Sequence, residues 1–324
     1  MIRQVCLLLV TLTACTSLTW ASTDLTDIIE IAAPSLQSSY LENTEKQQLL
    51  VALPPSYHLS NQRYPVVYYL HGYNGSIREA SRVSEQLPDM LKEDPELTEM
   101  IVIGVNGVNQ FGGSFYVNSP VTGNWEDFVT QDVINYVDSH YRTLKDPHYR
   151  GIAGFSMGGF ATTNIALRHP DKFQHMHAFS AGLFDKQGLN DAVNQWQSMR
   201  WFRVLKGYAA AFAPMANAEK TPKWHNWDAN DPNVIALWES GFGDIPAKLD
   251  RYLDRGVPLK SIRIEYGLRD QFPWIPKGSA YLVSELKKRN IEHEELAHDG
   301  MHSFSAQQGQ NAIRFFHQSF KSQK

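Results

Sequence analysis

Three observations predict an α/β fold with a mostly parallel central sheet and helices on both faces. Short β-rich runs alternate along the chain with helical patterns, the stretches between the runs are amphipathic, and the runs themselves are almost continuously apolar. A strand such as Met100-Ile101-Val102-Ile103 has no polar face, which is the pattern of a strand covered on both sides. Strands are expected over Gln48–Leu53, Pro65–Leu70, Met100–Val105, Tyr149–Phe155, His175–Ser180, Ser261–Tyr266 and Ile291–Leu296.

The helices come next in order. Val129, Val133, Val137 and Tyr141 recur every fourth position with Gln131, Asp132 and Asp138 between them, which predicts one helix with a single buried face. Ile313, Phe316 and Phe320 predict a last helix near the carboxyl end. The stretch of about 184–258 is far longer than a crossover needs and is expected to form a helical insertion within one domain spanning 22–324. It holds Trp196, Trp201, Trp224, Trp227 and Trp238, five of eight tryptophans, which suit either a satellite core or an aromatic wall that accepts a ring or sugar.

The 324 residues are 43% hydrophobic with a formal net charge of -4, and no basic block could track phosphates, which argues against a nucleic-acid partner. Residues 1–21 read as an export signal: Arg3, the apolar stretch Val5 to Val10, then small residues. Two cleavage points compete. Leu12-Thr13-Ala14-Cys15 resembles a lipobox that would place a lipid anchor on Cys15, and Thr19-Trp20-Ala21 suits a signal peptidase cutting after Ala21. Both cysteines, Cys6 and Cys15, lie in this leader, so the remainder cannot form a disulfide. No later run is long and apolar enough to be expected as a membrane span.

Ser156 stands in Gly154-Phe155-Ser156-Met157-Gly158, between an apolar strand and a helical pattern, which is the layout of a nucleophile elbow. A serine nucleophile needs a histidine to take its proton and a carboxylate to orient that histidine. Asp270 follows Ser261–Tyr266 through the turn Gly267-Leu268-Arg269, and His302 lies in Gly300-Met301-His302-Ser303 after the next strand. The order Ser156, Asp270, His302 is that of an α/β-hydrolase. His298 and Asp299 are close rivals, but His298 adjoins the strand, whereas His302 has a loop with which to reach. The Met157 N–H is one expected oxyanion donor. The other is the Tyr73 N–H in His71-Gly72-Tyr73, with His71 supporting that loop.

With the elbow, the His71-Gly72 strand end, Gly113-Ser114-Phe115-Tyr116, Asn118-Ser119, Gly123-Asn124-Trp125-Glu126-Asp127-Phe128 and the Gly300-Met301-His302 loop, the chain resembles the esterase D-like family of α/β-hydrolases. That group includes S-formylglutathione hydrolases, feruloyl and acetylxylan esterases, tributyrin esterases and mycolyltransferases. The resemblance extends from about Gln48 to Phe316 outside the insertion, and implies hydrolysis of carboxylic esters without metal or cofactor. Two features depart from it: the insertion exceeds that of compact members, and the leader argues against a cytosolic glutathione thioester as substrate. The expected activity is that of an exported serine esterase taking short acyl or aryl-acyl groups from carbohydrate or small alcohols. An acyltransferase would use the same Ser156, Asp270 and His302, and a catalytically silent binding protein would be expected to lack one of them.

Other histidines carry less. His293-Glu294 with His298 has the wrong spacing for a zinc helix and lies in an expected strand, and His175 and His177 share a strand face without a carboxylate or cysteine nearby in sequence. Asn74-Gly75-Ser76 matches a glycosylation acceptor but overlaps the proposed oxyanion loop.

Overall fold

A computed structural model describes residues 25–37, 39–41, 43–214 and 231–321. The export and lipidation expectations for 1–21, including Cys15, and the positions of Trp224 and Trp227 lie outside the described residues.

Among the described residues, eight strands form the main sheet: β1 (Thr26–Ala32), β2 (Lys46–Ala52), β3 (Val66–Leu70), β4 (Ile101–Val105), β7 (Arg150–Phe155), β8 (His175–Phe179), β9 (Ser261–Gly267) and β10 (Glu294–His298). A small antiparallel pair, β5 (Asn118–Ser119) and β6 (Gly123–Asn124), stands apart. Their order in the main sheet is β1-β2-β4-β3-β7-β8-β9-β10, antiparallel at β1/β2 and β2/β4 and parallel from β4 to β10. All seven expected strands are present. β10 starts three residues after its expected beginning, where Ile291 still belongs to the turn after a helix. β1 was not expected: it borders the leader and is a mostly exposed edge strand, so its period-2 signal is weak.

Side-chain alternation explains the two layers. Val66, Tyr68 and Leu70 of β3 enter one core with Ile101, Ile103 and Ile152, while Val67 and Tyr69 enter the other with Val102 and Ala153. The second core is covered by α1 (Ser81–Ser84), α2 (Leu87–Glu93) and α11 (Ala306–Lys321), whose Ile313, Phe316 and Phe320 are buried as expected. The first is covered on the other side by α3 (Trp125–Asp127), α4 (Ile134–His140), α5 (Met157–Arg168) and α10 (Trp274–Lys288).

The helix expected through Val129 and Tyr141 is interrupted. Residues Phe128–Val133 form a π-helical stretch before α4, and Tyr141 has already left the helix. Val129, Val133 and Val137 are nonetheless all fully buried, so the apolar stripe survives the change in pitch. Between β8 and β9 the described chain forms α6 (Gly188–Ser198), α7 (Phe202–Phe212), α8 (Pro232–Phe242) and α9 (Ile245–Leu253). Helix α7 packs on α6 and α8, and α9 packs on α5 and α10.

Candidate active site

The parallel strands deliver their following loops to one edge of the sheet. From β7 the chain turns at Ser156 into α5 with φ 56° and ψ −112°, a strained backbone that lifts the side chain clear of its neighbours. The turn is possible because its flanks lack side chains: a Cβ at Gly154 would overlap the Gly158 backbone, and one at Gly158 would overlap the Leu70 carbonyl. Ser156 N–H donates to Phe179 O at 3.0 Å, and its own carbonyl accepts from Gly182 N–H at 2.9 Å. Asn74, Phe115, Tyr116 and Ser180, which flank or adjoin the site, also have positive φ.

The structure brings together the three side chains singled out from the sequence. His302 Nε2 lies 2.9 Å from Ser156 Oγ, and His302 Nδ1 lies 2.7 Å from Asp270 Oδ2. Because a carboxylate only accepts, Nδ1 carries the proton and Nε2 is left to accept from the serine hydroxyl. The Asp270 side chain is fully buried, and its Oδ1 accepts from Phe272 N–H at 2.8 Å. His302 is held by Phe155, whose ring centroid is 4.6 Å away, and by the edge-on Phe272 at 5.1 Å. The loops bearing Asp270 and His302 are joined by their backbones: Leu268 N–H to His298 O (2.8 Å) and Arg269 N–H to Gly300 O (2.9 Å). Gln271 Oε1 also accepts from His302 N–H at 3.2 Å.

Tyr73 and Met157 flank the serine. Met157 opens α5, so its N–H has no acceptor within its own helix and lies at the positive end of the helix dipole. Gly72 comes so near that a Cβ there would stand 3.5 Å from Ser156 Cβ, which places the Tyr73 backbone close to Ser156. The loop is braced throughout. Gly72 N–H donates to Glu79 Oε2 (3.2 Å), Asn74 N–H to Gly112 O (3.0 Å), and the Tyr73 hydroxyl to Phe111 O. Tyr73 N–H has no acceptor among the described residues.

His71 is buried, donates from Nδ1 to Gly72 O (2.8 Å) and accepts at Nε2 from Gly107 N–H (3.0 Å). Burial lowers its pKa, so it stays neutral and props the loop. His175 and His177 are also occupied within the sheet: the first bonds Ser261 Oγ and His148 O, the second Glu265. Among the described residues no group of three or more His, Cys, Asp or Glu side chains is arranged to hold a metal ion.

Beside Ser156 opens a cleft of about 100 Å³ walled by Tyr73, Phe115, Trp196, Trp201, Tyr208 and Phe272. The three described insertion tryptophans divide between the two roles expected of them. Trp196 and Trp201 line the cleft, while Trp238 is fully buried and stacks on Tyr208 at 5.8 Å. Phe272 and Trp274 also line it and were not singled out from sequence, although their places two and four residues after Asp270 were a usable signal. Phe115 lay within a stretch used for the family resemblance, and Tyr208 in α7 offered no signal.

An eight-stranded mixed sheet with helices on both sides and a Ser-His-Asp array at its strand ends defines an α/β-hydrolase architecture. The family model described as "Putative esterase" matches residues 39–237, and the chain belongs to that esterase family. The match includes Tyr73, Ser156 and Met157 and stops before Asp270 and His302. Among curated relatives, an esterase of Mycobacterium tuberculosis is 29% identical over 130 residues, 38% of this chain and 26% of its own length. An endo-1,4-beta-xylanase/feruloyl esterase of Xylanibacter ruminicola is 28% identical over 160 residues, 46% of this chain and 22% of its own. The chain thus spans about a quarter of the length of these relatives. A solved ferulic acid esterase is similar in fold, with TM-score 0.60 and 23% identity over 91% of this chain and 98% of that one. An S-formylglutathione hydrolase from Staphylococcus aureus has TM-score 0.58 and 18% identity over 91% and 99%.

Proposed function

We propose that the chain is an exported serine esterase that hydrolyses carboxylic esters through an acyl-enzyme on Ser156. The observation that carries this reading is the His302 ring, within hydrogen-bond reach of Ser156 Oγ on one side and Asp270 on the other. Ser156 Oγ attacks the acyl carbonyl as its proton passes to His302 Nε2, and the buried Asp270 carboxylate stabilises the imidazolium and fixes its orientation. The oxyanion accepts from the N–H groups of Tyr73 and Met157. His302 returns the proton to the departing alcohol, and water then repeats the sequence in reverse, freeing the acid and restoring the serine.

For the acyl group we favour short or aryl-acyl substituents on a carbohydrate or small alcohol. The cleft beside Ser156 is aromatic and small, and two of the similar proteins carry feruloyl or ferulic acid in their names. Export remains part of the proposal on the strength of residues 1–21; among the described residues no helix is long and apolar enough to cross a membrane. A fluorophosphonate probe tests the chemistry without knowledge of the substrate. The parent protein is expected to be labelled and Ser156→Ala not at all, with loss of short-chain aryl-ester turnover. Labelling or turnover that survives Ser156→Ala near the parent level overturns the assignment.

A further inference from the structure

Glu265 is 1% exposed in β9, the strand whose following loop carries Asp270 five residues on. Its Oε2 accepts from His177 Nε2 of β8 at 3.0 Å, and its Oε1 accepts from Asn311 Nδ2 of α11 at 3.1 Å. The buried Nε2 of His298, last residue of β10, lies 3.9 Å from the same Oε1. His298 and Asn311 bracket the segment that carries His302, so both ends of that segment converge on one carboxylate.

His298 is also wedged under the loop itself. A Cβ at Gly300 would stand 2.5 Å from His298 Nδ1, so the ring occupies the space directly beside the Gly300 backbone. Its carbonyl accepts from Leu268 N–H and Gly300 N–H, at the root of both the Asp270 and His302 loops. Fold stability gives little reason for such a carboxylate. A buried charge is costly, and apolar replacements of buried ion pairs are often neutral or stabilising. Burial also lowers the pKa of His177, the ring that hydrogen-bonds Glu265.

We infer that Glu265 and His298 are positioning residues that together set the placement of the His302 imidazole against Ser156. Glu265 faces the His298 ring across 3.9 Å, the ring fills the space beside the Gly300 backbone, and the Gly300 backbone leads to His302 two residues on. This inference rests on the serine-esterase reading of Ser156, Asp270 and His302.

The test compares the parent with His298→Ala, His298→Gln and Glu265→Gln, reading the rate of fluorophosphonate labelling, kcat and KM on 4-nitrophenyl acetate, and the thermal midpoint. His298→Ala is expected to slow labelling and lower kcat by about tenfold, with KM within about twofold of the parent, because a displaced base misaligns proton transfer without touching the acyl cleft. His298→Gln, whose side chain can still fill the space beside Gly300 and extend toward Glu265, is expected to recover most of that loss. Glu265→Gln, which turns one of two buried acceptor oxygens into a donor, is expected to lower kcat severalfold at temperatures well below its own midpoint.

A parent-like labelling rate in His298→Ala, or a His298→Gln as impaired as the alanine, overturns the inference. Should His298→Ala fail to fold, Glu265→Gln decides, and a parent-like kcat there overturns it. The two readings fail differently: an unlabelled parent sinks the serine mechanism, whereas a labelled parent with unaffected variants sinks only the positioning role.

Discussion

The Leu70 carbonyl oxygen, at the end of β3, occupies the place that a side chain at Gly158 would need. The strand that leads into the His71-Gly72-Tyr73 loop and the helix that starts after Ser156 are therefore in backbone contact, and Tyr73, Ser156 and Met157 line one cleft. Gly158→Ala is expected to destabilise the protein by several kcal/mol (roughly 4 or more), because both colliding groups are main chain and neither can rotate away. Gly256→Ala is the control: its φ is +67° but nothing lies within 4 Å, so only the left-handed backbone penalty of about 1–2 kcal/mol applies. Chemical denaturation of the two variants measures the difference.

Asp270→Asn preserves size while removing the charge that fixes the His302 tautomer. With 2.7 Å between Asp270 Oδ2 and His302 Nδ1 and a fully buried carboxylate, kcat is expected to fall on the order of 10³-fold or more with KM little changed. Steady-state kinetics on an aryl acetate measures it. A loss confined to KM would place Asp270 in binding instead.

Trp201 offers a test of the proposed acyl cleft that spares the core, since it is 37% exposed and meets Phe272 edge-on at 5.9 Å. Trp201→Ala is expected to lower kcat/KM for aryl-acyl esters about tenfold more than for acetyl esters, as one aromatic contact to the acyl ring is lost. Its thermal midpoint should stay near that of the parent. Equal effects on both ester classes would remove Trp201 from the acyl subsite.

Buried histidines set an acid limit. Burial lowers the His175 pKa from 6.5 to about 4, and lowers those of His71 and His177 as well. The folded state therefore holds these rings neutral more strongly than the unfolded chain does. Their contribution is fully present above about pH 6.5 and is lost as pH falls through the folded value. For His175 alone the loss by pH 4 is roughly 3 kcal/mol. Thermal midpoints measured from pH 7 to pH 4 should fall across this window, and His175→Phe should flatten the decline.

Much of the fold was legible because its strands are buried on both faces and so appear as plain apolar runs: Val66–Leu70, Ile101–Val105 and Arg150–Phe155 needed no tertiary information to find. β1 was not, since an exposed edge strand carries no such run. The π-helical turn at Phe128–Val133 was hidden too, because hydrophobic period reports which face is buried and not how tightly the backbone winds.

For the site, the sequence alone determined the order and local setting of Ser156, Asp270 and His302, since glycine spacing and strand-end position are properties of neighbouring residues. Only the tertiary structure decided that one imidazole spans the other two groups, that Trp196 and Trp201 turn toward Ser156 while Trp238 turns into the core, and that His298 settles over Glu265. Those outcomes depend on parallel strands placing loops from distant parts of the chain at one sheet edge. Register and packing between such segments leave no local trace in composition or spacing.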